Sequence, residues 1–399
     1  MNRKTWIVMI CGGAILSVVL GMRQSFGLFL APITSDLHIG REVFALAMGL
    51  MNLLWGLGSP FAGAIADRFG PGKVAAAGGA FYAAGLWMMS QSHSGDQLLL
   101  AGILLGIGLS GAGFSVILGA VGRASSPEHR TKALAIVSLG GSVGQFLSIP
   151  GVSLLLAGNS WVLSLGIMFA VSLIAIPLSK GVAGLTAKSS TENKQTLGEA
   201  LREAFHHQSF WLLTSGFFVC GFHLAFIGVH FPAYLHDHGF PPGLSATALL
   251  LIGLFNIVGT YFCGLLGGKF LKKNVLSIIY LVRAAIFLVF LVSPLSDISV
   301  VLFSIGIGTL WLGTVPLTSG LIAYIFGPAY MSMLYGIVFL SHQIGGFAGS
   351  WLAGYLYDHV GSYDAMWLIN VALGVMSSAL HWPIRERPVE RLQVKPNPV

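Results

Sequence analysis

The feature that most constrains the fold is a succession of long apolar runs separated by short polar loops. A membrane-spanning helix needs about 20 consecutive, mostly apolar residues, and twelve stretches of this sequence meet that requirement. Their approximate limits are residues 6–31, 42–66, 73–92, 97–122, 132–157, 159–180, 209–235, 244–268, 274–294, 298–325, 331–357 and 363–384. We therefore predict an all-α membrane protein with 12 transmembrane helices.

The composition agrees with this class. Of the 399 residues, 55% are hydrophobic and only 9% are charged, whereas a soluble globular chain carries about 25% charged residues. Cys11, Cys220 and Cys263 all fall inside apolar runs, so we expect them to fill space rather than to form disulfides. The sequence also contains no metal-ligand spacing such as H-E-x-x-H, and it predicts no metal or cofactor.

The lysines and arginines indicate the orientation. When successive loops are assigned to alternate sides, 18 of the 21 basic residues fall on one side and Arg41 alone on the other. Because cytoplasmic loops are enriched in Lys and Arg, we predict that both termini lie in the cytoplasm and that the protein resides in the inner membrane of the cell. The formal charge of +7 is explained by anionic lipid headgroups at this boundary, so we expect no nucleic-acid partner. The sequence leaves the oligomeric state open and is compatible with a monomer.

A repeated loop divides the chain into two similar halves. Gly63–Val74 (GAIADRFGPGKV) follows the second apolar run, and Gly264–Val275 (GLLGGKFLKKNV) follows the eighth. The only long polar stretch lies between the sixth and seventh runs, and within it Thr196–Glu199 predicts a capping box that opens a short amphipathic helix. We predict two pseudo-symmetric six-helix halves, residues 1–180 and 209–399, joined by a cytoplasmic linker over residues 181–208.

Two arginines lie inside predicted spans, Arg23 in the first and Arg283 in the ninth. A charged side chain at the centre of a span costs about 2.5–3.5 kcal/mol on insertion scales, so a deep arginine indicates a polar cavity or a partner. No acidic residue lies deep in any span. We infer that the missing anion is the transported substrate. Alternatively, Arg23 extends to a helix end, and Arg283 caps carbonyl groups or braces neighbouring helices.

The two halves suggest how such a site is built. When Pro32 is aligned with Pro232, Arg23 falls opposite His223, and repeat transporters bind substrate near the midplane where their halves meet. Arg23 and His223 would then clamp an anion from both sides. His342 and Gln343 lie in the eleventh span and are further candidates for substrate or proton contact, whereas His230 is expected to be structural. The remaining candidates for the cavity wall are polar or aromatic residues within spans, namely Asn52, Gln145, Asn256 and Trp311.

Two strings resemble enzyme motifs. Gly106–Gly111 (GIGLSG) matches the dinucleotide pattern G-x-G-x-x-G, and Gly140–Gly144 (GGSVG) matches the nucleophile elbow. Both lie inside predicted membrane spans, where neither the strand nor the strained turn that these motifs need is available. We interpret them as faces of small residues that let helices approach closely, and we predict that the protein is not an enzyme.

The twelve spans, the central loop and the pattern G-x-x-x-D-R-x-G from Gly63 to Gly70 resemble the major facilitator superfamily. The resemblance implies two six-helix halves that expose a central site alternately to each side of the membrane. It also implies that this loop gates the cytoplasmic side, with Asp67 and Arg68 locking neighbouring helices between Gly63 and Gly70. The second copy has Gly268 in place of the acid, so we expect its gate to depend less on charge.

Within that superfamily, residues 21–33 (GMRQSFGLFLAPI) and 341–363 are similar to the bacterial monocarboxylate-transporter-like branch. Animal members carry an Asp–Arg pair in span eight, where this chain has Asn256 and Thr260. The related oxalate–formate exchanger carries a lysine in span eleven, where this chain has His342. The resemblance therefore implies that anions are handled by a different set of residues.

Together, these observations predict a secondary active transporter of a small organic anion, first a monocarboxylate, coupled to protons. Arg23 would pair with the carboxylate, and His342, followed by His223, would carry the proton, since histidine is the side chain type that titrates near neutral pH. An exporter or exchanger of an anionic or zwitterionic metabolite or drug remains an alternative. A non-transporting membrane receptor is a further alternative that would require an unusual soluble extension.

Overall fold

The computed structural model of the protein describes residues 3–124, 127–183, 196–327 and 331–392, which form helices joined by short turns and contain no strand. The first half contains α1 (Arg3–Gln24), α2 (Leu30–Asp36), α3 (Arg41–Phe69), α4 (Pro71–Ser90), α5 (Gly95–Ala112), α6 (Phe114–Ala124), α7 (Pro127–Gly158), α8 (Trp161–Ser172) and α9 (Ala175–Leu178). The linker contains α10 (Leu197–Phe205). The second half contains α11 (Gln208–Asp237), α12 (Pro242–Lys269), α13 (Lys272–Val292), α14 (Asp297–Thr309), α15 (Thr314–Phe326), α16 (Met331–Val360) and α17 (Asp364–His381). Short 3-10 turns cover Phe26–Phe29, Ser179–Val182 and Glu390–Leu392.

Helices occupy all twelve of the predicted spans. Within the described residues, nine helical segments are long and apolar enough to cross a membrane, and α4, α16 and α17 occupy the other three predicted spans. The first span is interrupted near its end, at Ser25–Phe29, and the fourth and tenth spans are interrupted in their interiors, at Gly113 and at residues 310–313. The sequence did not predict these breaks.

Three pairs of equivalent helices pack together in both halves. In the first half α1 packs on α7, α3 on α5 and α4 on α8; in the second half α11 packs on α16, α12 on α14 and α13 on α17. These pairs join the first span of each half to the fifth, the second to the fourth and the third to the sixth. The pattern confirms the predicted pseudo-symmetry of two helical halves.

The three largest contacts between the described helices of the two halves are as follows. Helix α3 packs on α16, α7 packs on α12, and the 3-10 turn Phe26–Phe29 packs on α11. At the third contact a Cβ atom added to Gly27 would overlap the carbonyl oxygen of Gly228, so only glycine allows the two backbones to approach this closely. The centre of the bundle is therefore lined by residues from both halves.

The linker helix α10 begins as the sequence predicts. Glu199 N–H donates to the Thr196 hydroxyl at 3.3 Å, and Thr196 N–H donates to Glu199 Oε2 at 2.7 Å, which completes the capping box. Ala200 and Ala204 are buried, and α10 packs on α11 of the second half. Residues 184–195 of the predicted linker, and the side chain of Leu197, lie outside the part of the chain that the structure describes, so the domain limits remain a prediction.

Candidate substrate-binding site

Arg23 lies where the first span breaks. Helix α1 ends at Gln24, and Ser25 then closes a turn through hydrogen bonds from its amide and hydroxyl to the carbonyl oxygen of Met22, at 3.1 and 2.7 Å. The terminal carbonyl groups of α1 carry a partial negative charge, which favours a cation in the last turn. Arg23 is the basic residue of that turn and is only partly buried. The break therefore holds a guanidinium group inside the bundle.

The guanidinium of Arg23 has only neutral partners among the described residues. Nη2 donates to Asn52 Oδ1 at 2.6 Å, and Nη1 donates to Gln24 Oε1 at 3.2 Å. The group also lies 5.2 Å from the ring centroid of Trp55, within the range of a cation–π contact. Its Nε atom is buried and has no acceptor within the described parts of the chain. The positive charge is thus hydrogen-bonded but not neutralised.

An amide-rich layer extends from Arg23 into both halves. Gln24 Nε2 donates to Gln145 Oε1 at 3.4 Å, and Gln145 Nε2 donates to the carbonyl oxygen of Leu249 on α12 at 3.4 Å. On the opposite side, Gln343 is fully buried against Gly56 of α3, and its Nε2 atom has no acceptor in the described residues. The predicted candidates Arg23, Asn52 and Gln145 therefore belong to one network, with Gln343 beside it.

Asn256 links α7 of the first half to the break in the tenth span. We call the boundary between the two halves the seam. Asn256 Nδ2 donates to the hydroxyl of Ser142 on α7 at 3.0 Å, and its Oδ1 accepts from the amide of Leu312 at 3.0 Å. Thr260 also donates to Asn256 Oδ1, at 3.0 Å. All donor and acceptor atoms of this amide are engaged, so the contacts of Asn256 are those of a brace between helices.

Arg283 has a similar position in the second half. It is fully buried, and its guanidinium donates to the carbonyl oxygens of Leu310 and Trp311 at the break and contacts the thiol of Cys220 at 3.6 Å. These contacts support the alternative in which Arg283 caps carbonyl groups. The indole N–H of the adjacent Trp311 is buried and has no acceptor among the described residues.

The three histidines have different surroundings. His342 lies between the rings of Phe217 and Phe339, with centroid distances of 4.9 and 5.4 Å, and its Nδ1 is 3.1 Å from Gln343 Oε1. Its side chain therefore joins the amide layer next to the seam. Of the three histidines, His342 is the one whose described contacts reach this layer.

His223 and His230 make contacts within the second half. His223 Nε2 is 2.9 Å from the carbonyl oxygen of Asn370, and its Nδ1 has no partner in the described residues. His230 uses both ring nitrogens, at 3.0 Å from the Tyr363 hydroxyl and 2.8 Å from the Ser350 carbonyl oxygen. The contacts of His230 agree with the structural role expected for it. The described polar contacts of His223 join it to α17 rather than to Arg23, so the two-sided clamp stays a prediction.

The predicted gate lies at the end of α3. Gly70 ends the helix with a φ of 99°, a conformation that side chains rarely adopt, and its amide donates to the carbonyl oxygen of Ala66 at 2.9 Å. Gly63 lies inside α3 with open space around the position of a Cβ atom. Asp67 and Arg68 fall in the last turn of α3, but their side chains lie outside what the structure describes. Their gating role therefore stays a prediction.

A charged contact between the halves, which the sequence did not indicate, lies at the other end of the bundle. Arg41 of α3 donates through both terminal nitrogens to Asp237 of α11, at 2.6 and 2.7 Å, and its guanidinium lies over the ring of Tyr357. Asp358 of α16 accepts from the amides of Arg41 and Glu42, at 3.3 and 2.8 Å, and so caps α3. We call these contacts the Arg41 lock. The signal in the sequence for this contact was Arg41 itself, which is the single basic residue on its side of the predicted topology.

Sequence reasoning also missed Trp55 and Gln24. Both contact Arg23 directly, yet a tryptophan and a glutamine inside apolar spans are not distinctive in a single sequence. As for metal binding, the described residues contain no group of three His, Cys, Asp or Glu side chains that could hold an ion.

Two helical halves around a polar centre define the architecture of a secondary transporter. The sequence profile described as Major Facilitator Superfamily matches residues 5–315. The chain therefore belongs to the major facilitator superfamily, whose members are transporters and generally not enzymes. The two enzyme-like strings lie inside helices α5 and α7.

Curated relatives and solved structures agree with this family. Monocarboxylate transporter 13 of Rattus norvegicus is 24% identical over 94% of this chain and 87% of its own length. The MFS-type transporter YhjX of Escherichia coli K12 is 26% identical over 86% of each chain, and the sialic acid transporter NanX of the same organism is 23% identical over 80% of this chain and 79% of its own. The relatives confirm the resemblance to monocarboxylate transporters. A bacterial homologue of the human lysosomal transporter Spinster, in an inward-facing and occupied conformation, matches with a TM-score of 0.74 at 14% identity over 96% of this chain and 97% of its own, which supports the fold.

Proposed function

We propose that the protein is a secondary active transporter of a small organic anion, a monocarboxylate in the first instance, in the inner membrane of the cell. The single observation that carries this proposal is the guanidinium of Arg23, which lies inside the bundle with the neutral side chains of Asn52 and Gln24 as its hydrogen-bond acceptors. A charge inside a membrane protein is costly without a counter-ion. Because both acceptors are neutral, a substrate carboxylate is the natural partner of this charge. The similarity to monocarboxylate transporter 13 supports the same substrate class.

His342 is the proposed proton carrier, with His223 as the second candidate. His342 is almost fully buried and hydrogen-bonded to Gln343, which borders α3 of the other half. Protonation at this position would change the charge of the site that also holds Arg23. Loading the site with one proton and one carboxylate leaves the charge of the central layer unchanged, which favours reorientation of the loaded transporter.

Exchange or export of a larger acid is a second candidate function. The relative NanX is named as a sialic acid transporter, and its cargo is also an acid. The two candidates share the carboxylate at Arg23 and differ in the size of the cargo and in the direction of net flux. Counterflow experiments, in which liposomes are preloaded with one acid and offered another, distinguish exchange from proton-coupled uptake.

The proposal is tested with purified protein in liposomes that contain a pH-sensitive dye. We expect uptake of radiolabelled acetate, lactate, pyruvate or benzoate together with acidification of the interior beyond the leak of empty liposomes. Arg23→Gln should lower this uptake about 100-fold or more, because it removes a charge-assisted, bidentate contact to the carboxylate. Arg202→Gln, which removes one exposed positive charge on α10, is the matched control and should transport normally. Normal uptake by Arg23→Gln, or no uptake or exchange of any acid by the wild type, would overturn the proposal.

A further inference from the structure

The fourth predicted span is broken beside Trp55, whose ring contacts Arg23. Helix α5 ends at Ala112, Gly113 is extended with φ and ψ of −90° and −164°, and α6 begins at Phe114. A Cβ atom at residue 113 would overlap the carbonyl oxygen of Leu109 and lie 2.9 Å from Trp55 Nε1. Only glycine therefore fits this break, which packs directly against the indole nitrogen of Trp55.

The break exposes the positive end of a helix. The first-turn N–H groups of any helix have no partner within the helix, and they carry a partial positive charge that favours an anion. Helix α6 has 11 residues, so its dipole is substantial, and the positive end of that dipole lies at the break. The Leu109 carbonyl oxygen on the α5 side repels an anion, so the favourable position is on the side of Trp55 and the α6 amides.

Trp55 points an unused donor at this position. The residue is 4% exposed, and its Nε1 atom is buried with no acceptor in the described parts of the chain. A buried N–H group without an acceptor is unfavourable, since it has given up its hydrogen bonds to water. The same indole ring also contacts Arg23, whose guanidinium lies 5.2 Å from the ring centroid. Trp55 thus contacts both the guanidinium of Arg23 and the break that precedes α6.

The second half has a comparable break that the chain fills by itself. The repeated loops Gly63–Val74 and Gly264–Val275 place Trp55 opposite Asn256, each eight residues before its loop. Asn256 Oδ1 accepts from the amide of Leu312 in the break of the tenth span. An indole cannot accept such a hydrogen bond, so at the position where the second half supplies an acceptor, the first half supplies only another donor.

We propose that the Trp55 indole N–H and the first-turn amides of α6 form a seat for the carboxylate group of the substrate beside Arg23. This inference rests on the proposed function and adds the place where the acid group binds. The carboxylate provides the acceptors that the broken helix and Trp55 lack, and Arg23 provides the charge. Trp55 is then a specificity-determining residue, because an uncharged amide or ester in place of the acid would lose the stabilisation from both the helix end and the guanidinium.

The test compares Trp55→Phe with Trp367→Phe in proteoliposomes, measuring the concentration dependence of radiolabelled lactate or benzoate uptake. Trp55→Phe retains the aromatic ring and removes only the N–H donor. Trp367 is also fully buried with an unpartnered indole N–H, but it belongs to an aromatic cluster of the second half, so it makes the same chemical change away from the seat. We expect Trp55→Phe to raise the KM for the acid about 10-fold or more, while Trp367→Phe leaves KM unchanged.

Two further readouts separate binding from structure. Inhibition of uptake by the corresponding uncharged amide should be equal in wild type and Trp55→Phe, since the lost donor acts on the carboxylate. Gly113→Ala, whose added methyl group would push the Trp55 indole away from the break, should also raise KM. If the wild type transports the acid and Trp55→Phe retains the wild-type KM, the seat is wrong while the proposed function stands. If the wild type neither binds nor transports any acid, both are wrong.

Discussion

At the scale of single residues, Arg23 and Arg283 show how neighbours decide what a buried charge does. The sequence located both arginines, because a charge inside an apolar run is conspicuous. It could not identify their contacts, since most of their partners come from other helices. Arg283 donates to backbone carbonyl oxygens that have no freedom to move, whereas Arg23 donates to two side-chain amides that can reorient around a substrate.

This difference predicts opposite effects of removing each charge. Arg283→Leu should lower the thermal stability of the purified protein, because the carbonyl groups of Leu310 and Trp311 lose their donor at about 1–3 kcal/mol for each buried group left unpaired. Arg23→Leu should abolish uptake with little loss of stability. Thermal unfolding of both variants in the same detergent checks the prediction. Equal loss of stability in the two variants would contradict the bracing role of Arg283.

Asn52 permits a sharper test of the charge at the site. Asn52→Asp is nearly isosteric and would place a carboxylate 2.6 Å from Arg23 Nη2, where the amide oxygen is now. We expect the built-in anion to compete with the substrate, so uptake should fall strongly while the protein still folds. The measurements are initial uptake rates and thermal stability. Undiminished uptake by Asn52→Asp would mean that the cargo does not depend on the free charge of Arg23.

At the scale of helices, the lengths of the apolar runs predicted where the helices lie but not where they break. The interruptions at Ser25–Phe29, Gly113 and residues 310–313 depend on contacts from other helices, such as Asn256 with Leu312, and hydropathy along the chain does not contain this information. Gly113 could not be singled out as the site of a break, because it is one of 53 glycines in the sequence. The capping box of α10, by contrast, is local in sequence and was predicted correctly.

The same local motif predicts a pH dependence for α10. Hydrogen bonds from the Thr196 amide and hydroxyl lower the pKa of Glu199 below its ordinary value. A lowered pKa in the folded state means that the stabilisation is complete above the ordinary pKa and is lost as the pH falls through the lowered one. Amide hydrogen exchange of α10 should therefore be equally protected at neutral and mildly acidic pH, and less protected at strongly acidic pH. In Glu199→Gln this pH dependence should disappear. A helix end that frays equally in both proteins would argue against the carboxylate cap.

At the scale of the whole molecule, the sequence predicted two similar halves and the structure shows how they are held together. The repeated loops revealed the duplication because they are polar and punctuate apolar runs. The pairing in the Arg41 lock was not predicted, since Arg41, Asp237 and Asp358 lie far apart in sequence and each falls just outside a predicted span. Its contacts close one end of the seam between the halves, so alternating access requires that they break.

The lock predicts a shift in conformation when one partner is removed. Hydrogen bonds between charged groups contribute about 1.5–3 kcal/mol, and Arg41 and Asp237 have side chains only 15% and 22% exposed. Arg41→Gln should therefore increase the population open at this end about 10-fold or more. Spin labels at residues 35 and 236, which line the cavity of about 650 Å³ between the halves at this end, report the opening as longer distances. Cys11, Cys220 and Cys263 are first replaced by serine so that only the introduced sites carry labels.

Three comparisons make this prediction specific. Asp237→Asn should lengthen the distances as Arg41→Gln does, and the double variant should add little, since both single changes remove the same contact. Lys272→Gln breaks an ion pair of 3.4 Å with Glu386 that lies within the second half, and it should leave the distances unchanged. If Lys272→Gln opens this end as much as Arg41→Gln does, the effect is general destabilisation and the lock is not a gate. If Arg41→Gln lengthens the distances while Lys272→Gln does not, and Arg41→Gln also slows uptake, closure of this end by the lock is part of the transport cycle.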